Sequence, residues 1–231
     1  MEDIFNEANI DLYPKPVTIE GTKKILHQME ASICKIHKKN GEKGTGFFVE
    51  ISYDKTIIPA MITNCHVLDE EYLNKNEEIK ISLNDDTIIK TIKLNEKRRI
   101  YSNRKFDTTI IEIKPEIDKI NYFLELDSYL SKENCGEIYN KTKIYLICYG
   151  KENKTESYCG DIVNIEKEKL YHISDTASGS GGCPILSLSS FNVIGMHLGR
   201  TGKEYKAGIL LKFPLEEFMK GEHFIKHIFL F

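Results

Sequence analysis

Thr176-Ala177-Ser178-Gly179-Ser180-Gly181-Gly182-Cys183-Pro184-Ile185 runs a loop of glycine and serine into an apolar strand, and Val193-Ile194-Gly195-Met196-His197-Leu198-Gly199 supplies a second strand behind it. Taken alone, such a cluster is a loop. Two upstream segments give it another meaning. Ile62-Thr63-Asn64-Cys65-His66-Val67-Leu68 places a histidine just past an apolar strand, and Phe106-Asp107-Thr108-Thr109-Ile110-Ile111 opens an apolar strand with an aspartate. Singly, His66 is a surface histidine and Asp107 a turn former. In the chain order histidine, aspartate, glycine loop, they are what a base, its orienter and a nucleophile loop require.

The surrounding sequence is built of short strands. ASICKIHK (31–38), TGFFVEIS (45–52) and TIIPAMIT (56–63) are rich in β-branched and aromatic residues and are broken by turn residues. EEIKISLN and TIIKTIKL flank Asp85-Asp86, a hairpin turn, and FDTTIIEIK adds another strand. Residues 114–142 read as a connector with one short helix. Strands resume with KIYLICYG, ESYCGDIVNI, KLYHISD, PILSLS, FNVIGMHL and KAGILLKF. Residues 18–30 have helical spacing, with Thr18 as N-cap and Ile19, Ile25, Leu26 and Met29 on the apolar face. PLEEFMKG forms a last helix with Pro214 in its first turn. About twelve short strands in two groups mean an all-β sandwich or a pair of barrels.

Composition narrows the function. The 231 residues are 41% apolar and 29% charged, so the chain can bury a core. With 32 basic and 35 acidic residues the net charge is −3, which gives no overall field for nucleic acid or an anionic membrane. Lys38-Lys39, Lys97-Arg98-Arg99 and Arg104-Lys105 are short and lie near acidic residues, as solvated loops do. No apolar run reaches the ~20 residues of a membrane helix. The apolar tail 223–231 is too short to span and is expected to pack on the second barrel. The acidic start lacks a secretory pattern. Six cysteines (34, 65, 135, 148, 159 and 183) show no CxxC pair and no ligand grouping, so reduced thiols, a cytoplasmic setting and no metal are expected.

TGFFV, TNCHVL, DTTII, GSGGCPI and VIGMHLG, in that order, resemble the strand, histidine, aspartate, nucleophile-loop and following-strand motifs of the trypsin-like (chymotrypsin-fold) serine proteases. The likeness runs from about residue 31 to residue 213, with 41 residues from His66 to Asp107 and 74 more to position 181. It implies two six-stranded β-barrels, with an N-terminal arm and helix in 1–30 and a short C-terminal helix and tail in 214–231. It also implies a peptide or protein substrate, with no cofactor, nucleic acid or membrane partner. His66 would take and return a proton, Asp107 would hold the other ring nitrogen, and the backbone N–H groups of Gly179 and Gly181 would form the oxyanion hole.

The loop departs from the family at one position. The family reads Gly-x-Ser-Gly-x-Pro, and counting back three from Pro184 lands on Gly181; Ser180 is one residue early. Either Ser180 is the nucleophile on a shifted loop, or the site has none and the chain is a pseudoprotease that binds peptides. A one-residue shift moves a side chain by ~3.5 Å, whereas ~1 Å of misplacement costs ~100-fold in rate. That comparison favours the pseudoprotease. Cys183 and Cys65 read as core residues.

Thr176 with His197 resembles the pocket of glutamyl endopeptidases and of viral cysteine proteases of this fold. It implies a preference for Glu or Gln at the residue bound there. The alternatives are a His197 that only bonds within its barrel, and an Asp175 that selects Lys or Arg.

Overall fold

A computed structural model describes residues 16–53, 56–94, 97–150, 152, 154–176, 180–201, 205–222 and 224–225. A helix, α1 (Ile19–Ala31), precedes an antiparallel sheet of β1 (Ile33–His37), β2 (Lys43–Tyr53), β3 (Thr56–Thr63), β4 (Glu78–Leu83), β5 (Ile88–Lys93), β6 (Ile100–Asn103) and β7 (Thr108–Glu112). Its order is β5-β4-β1-β2-β3-β7-β6, a curled half-barrel to which the short β8 (Leu124–Glu125) adds beside β2. β9 (Lys143–Tyr149), β10 (Thr155–Glu166), β11 (Lys169–Ser174), β12 (Pro184–Ser187), β13 (Val193–Thr201) and β14 (Tyr205–Leu210) close a six-stranded barrel in the order β10-β11-β14-β13-β12-β9. The fold is the expected pair of β-barrels, the first curled rather than closed.

Three cores explain why the strands look apolar on both faces. Phe47, Val49, Ala60 and Ile62 face Tyr145, Ile147, Leu186 and Met196 of the second barrel. Their neighbours Phe48 and Met61 turn instead into the first barrel with Cys34 and Ile36. Leu146, Cys148, Ile185 and Ile194 fill the second. Period-2 alternation therefore sends successive side chains to two different interiors.

Thr18 caps α1, its hydroxyl accepting from Gly21 N at 3.1 Å. The buried face differs from the one the spacing predicts. Ile19 and Leu26 are exposed, whereas Gly21 and Gln28 are buried and Ile25 and Met29 pack on the shared core. Two polar bonds set this rotation: Gln28 Nε2 donates to Phe191 O at 2.9 Å, and Tyr145 donates its hydroxyl proton to Gln28 Oε1 at 2.7 Å. Gly21 is needed because a Cβ there would lie 2.6 Å from the Phe191 ring.

Other elements depart from expectation. α2 (Glu70–Lys75), capped by Asp69, follows β3 where no helix was expected. The connector holds two short α-helices, α3 (Pro115–Asp118) and α4 (Cys135–Tyr139), with a 3-10 turn at Ser128–Ser131 between them, rather than one helix. α5 (Lys212–Lys220) begins two residues before Pro214 and ends on Gly221 at φ 76°. The expected packing of the tail on the second barrel is corrected at Phe224 and Ile225, which lie against β6 of the first: Phe224 bridges Tyr101, and Ile225 N donates to Ile100 O at 2.8 Å. α5 directs the chain there, because Glu217 accepts from the Tyr101 hydroxyl at 2.9 Å and from Asn103 Nδ2 at 2.7 Å. The rest of the tail lies outside the described residues. Among the described residues no helix is long and apolar enough to cross a membrane.

Candidate active site

Asp107 stands in the turn between β6 and β7 with φ 47°, a left-handed conformation that Asp tolerates better than most side chains. It binds the turn after β3 through four bonds. Its carboxylate accepts from His66 Nδ1 at 2.7 Å and from His66 N at 2.9 Å. Its carbonyl accepts from Cys65 N at 3.0 Å and Asn64 Nδ2 at 3.1 Å. The Nδ1–H must point at Asp107, so in the neutral ring Nε2 is the basic nitrogen. The Asp107 carboxylate, chiefly through this hydrogen bond, raises the His66 pKa against the opposing pull of partial burial and of Lys38.

The glycine loop meets this pair at residue 181. A Cβ built on Gly181 would lie 3.5 Å from His66 Nε2 and 2.9 Å from Asn64 Oδ1. Asn64 is fully buried, and its Oδ1 has no hydrogen-bond partner among the described residues. Gly182 fixes the loop: its φ is +85°, a Cβ there would stand 2.3 Å from Thr45 O, and its N–H donates to His197 O at 3.0 Å. Ser180 is 2% exposed. Gly179 lies outside the described residues, as do Ala177 and Ser178.

Both neighbouring cysteines are packed. Cys183 is buried against Cys148, and burial raises its thiol pKa well above the ordinary value. Cys65 bonds Ser102 at 3.3 Å and is likewise raised by burial. Neither has the lowered pKa of a nucleophilic thiol. All six cysteines are free thiols.

A second group lies behind the loop. His197 N donates to Cys183 O at 2.9 Å, which ties β13 to the loop. His197 Nδ1 meets His172 Nε2 at 3.1 Å, and His172 Nδ1 meets Ser174 Oγ at 3.0 Å. Burial first, then neighbouring charge, pushes His197 down to about 4 and His172 to about 3, so both rings are neutral near pH 7. Thr176 is buried, and its hydroxyl and carbonyl each accept from Lys206 Nζ at 2.7 Å. Asp175, beside it, is exposed.

His66, Asp107 and position 181 thus converge, while Thr176 bonds Lys206, the register partner of the His172 that bonds His197. Three residues of this arrangement, Asn64, His172 and Lys206, escaped the sequence reading. Period 2 offers a signal for two of them. His172 follows the buried Leu170 by two residues on β11, and its register partner is Lys206, as Gly208 is that of Leu170.

No protein-family model and no characterised relative matches the sequence. Solved structures do. The chain superposes on the serine endoprotease of Yersinia pestis with a TM-score of 0.61 at 12% identity, covering 90% of this chain and 67% of that one. It also superposes on an inactive form of the Rv3671c protease of M. tuberculosis, with a TM-score of 0.60 at 16% identity, covering 85% and 91%. The fold is trypsin-like. At these identities the likeness carries the architecture, and the chemistry has to be argued from the residues in the cleft.

Proposed function

We propose that this chain is a trypsin-like pseudoprotease, one that binds peptides in its cleft and does not carry out covalent serine catalysis. The supporting observation is the direction of residue 181. The position whose side chain aims at His66 Nε2 is the position that lacks one. A nucleophile and its base need hydrogen-bond reach, roughly 2.6–3.2 Å between heavy atoms. His66 and Asp107 keep a base and its orienter, but a glycine gives them no hydroxyl to activate.

Peptide recognition rests on Thr176 and His197, which would take a Glu or Gln side chain of the peptide. An entering carboxylate or carboxamide oxygen needs donors. A neutral imidazole has one donor and one acceptor nitrogen, so the chain Ser174–His172–His197 has two directions. Running from the Ser174 hydroxyl towards His197, it leaves the proton on His197 Nε2, for which an incoming oxygen would compete with the Ala207 carbonyl that the ring already meets.

A fluorophosphonate probe tests this against the rival, an endopeptidase using Ser180. The pseudoprotease gives no adduct while still binding Glu- or Gln-containing peptides. An adduct on Ser180 that disappears in Ser180→Ala overturns it and establishes the endopeptidase.

A further inference from the structure

We infer that the chain carries a second peptide-docking groove, at the end of β2 far from the cleft, which takes a partner's extended segment of alternating apolar and basic residues as an added strand. The inference stands apart from the reading of the cleft.

The groove comes from a fork in the connector. β8 lies parallel beside β2, with Leu124 opposite Val49 and Glu125 opposite Glu50. One residue later the chain leaves β2 for the second barrel: Leu126 bridges Val193, and Asp127 N donates to Val193 O at 2.9 Å. In the fork lies a hollow of about 590 Å³, lined by Ile51 and Ser52 of β2, Leu126 and Leu130 of the connector, and Leu215 and Met219 of α5. Ligand sites commonly measure about 300–1,000 Å³. The hollow is remote from the dyad. Thr45, whose carbonyl borders Gly182, stands towards the other end of β2, and the stretch from Thr45 to Ser52 spans about 23 Å at about 3.3 Å per residue.

The edge of β2 beside the hollow is open. Phe48 N donates to Ser32 O at 2.9 Å, so this N–H faces the β1 side. β2 pairs with β3 without a register shift, so by period 2 the Ser52 N–H faces the same side. β1 covers that side at residues 43–47 and β8 at 49–50. Among the described residues no strand covers it at 51–52. An extended peptide can continue the line of β8 there, through main-chain bonds to the exposed edge.

Charge complementarity selects the peptide. Register partners share a face, so the exposed Glu50 and Glu125 stand side by side on one face. Ile51 turns to the other, where Leu126, Leu215 and Met219 pack. Glu125 has Lys24 at 3.9 Å, whereas Glu50 has no cation within ion-pair distance among the described residues. Glu216 on the α5 rim is 4.0 Å from Lys212, whose ammonium also donates to Lys132 O at 2.8 Å. Asp127 is buried and already accepts from Tyr129 N and from the hydroxyls of Tyr139 and Ser190. Like charges opposite one another in a sheet repel, and a Lys or Arg beside Glu50 and Glu125 relieves this. Side chains of an added strand alternate between the same two faces, so apolar residues suit the Ile51 side and basic residues the Glu50 side.

The test uses the full chain and fluorescein-labelled acetyl-Lys-Val-Lys-Val-Lys-Val-amide in anisotropy titrations. This peptide is expected to bind more tightly than its Glu-Val-Glu-Val-Glu-Val counterpart, and more tightly than Lys-Lys-Lys-Val-Val-Val, which has the charge without the alternation. Glu50→Gln with Glu125→Gln, both at exposed positions, should weaken it about fivefold. Backbone N-methylation of the three valines or of the three lysines, whichever set faces β2, should abolish binding. In backbone amide NMR spectra the Ser52 signal should shift with bound peptide, while the His66 ring protons stay in place. Equal binding of the Lys and Glu peptides, of the alternating and blocked peptides, or of wild type and the double Gln variant overturns the proposal, as does full binding by both N-methylated peptides. Shifts at His66 with none at Ser52 place the peptide in the cleft, which overturns the groove and leaves the pseudoprotease reading standing. Concentration-dependent dimerisation that shifts Ser52 without any peptide makes a second copy of the chain the occupant, and overturns the proposal as well.

Discussion

The Cβ direction of Gly181 ends 3.5 Å from His66 Nε2 and runs into Asn64 Oδ1 at 2.9 Å. The base is in place, the side chain opposite it is absent, and a buried amide oxygen borders the space. A serine at 181 would reach the imidazole only if Asn64 gave way. Asn64 is held by its Nδ2 bond to Asp107 O, the same carbonyl that anchors Cys65 N. Gly181→Ser alone should therefore gain little fluorophosphonate reactivity, and Gly181→Ser with Asn64→Ala should gain several orders of magnitude more, since a triad nucleophile is worth on the order of a millionfold in turnover. Rates of probe labelling in the single and double variants, compared with wild type, measure the difference.

Gly182 is the residue on which the loop's path depends. A side chain there meets a left-handed φ of +85° and a carbonyl at 2.3 Å, and it would displace the bond from Thr63 Oγ1 to Thr45 O. Gly182→Ala is expected to cost on the order of 2–3 kcal/mol, the range for a forced backbone conformation together with a steric clash. Urea unfolding gives the loss, and peptide binding should weaken in parallel because Gly182 N–H ties the loop to His197.

The barrels were legible because turn residues punctuate strands of β-branched residues at short spacing. The dyad was legible because His66 and Asp107 each follow or open such a strand. α1 was legible as a helix but not in rotation. Its apolar residues suggested one face, and two bonds from Gln28 to the second barrel chose another, which no local pattern encodes. Lys206 was hidden for a related reason. A lysine at the start of an apolar strand looks solvated, and only the closure of β11 on β14 brings it to Thr176. Asn64 was passed over because a lone buried amide has no periodic signature.

A buried ion pair gives a stability test away from the cleft. The side chains of Arg98 and Asp118 are 0% and 1% exposed, with Nη1 to Oδ2 at 2.9 Å and Nη2 to Oδ1 at 3.2 Å. Asp118 also accepts from Lys114 N at 2.8 Å, and Arg98 donates to Glu112 O at 2.9 Å. Asp118→Ala strands a buried guanidinium and should cost about 3–5 kcal/mol in urea unfolding. Replacing both residues, Arg98→Met with Asp118→Leu, should cost less than the single change, because no charge is then left unpaired. A single variant no less stable than the double would place the energy in packing instead.

The last prediction concerns pH. Asp107 raises the His66 pKa above its ordinary 6.5, so the folded state binds the proton more tightly than the unfolded chain. The stabilisation from this pair is then fully present below about pH 6.5 and is lost as pH rises through the raised folded value. Asp107→Asn removes the carboxylate that raises the pKa, leaving partial burial and Lys38, both of which lower it. His66 should then titrate below the ordinary value, as read from its ring proton shifts by NMR. The stability gap between wild type and Asp107→Asn should be widest on the acid side and should narrow as pH rises through the raised folded pKa, above which the imidazole is neutral in both. With the His66 side chain 57% exposed, solvent screens the pair, so the gap is modest and the direction of its pH dependence is the decisive reading. A gap that widened with rising pH would mean that Asp107 serves the fold through its bonds to Asn64 and Cys65 and does not charge the imidazole.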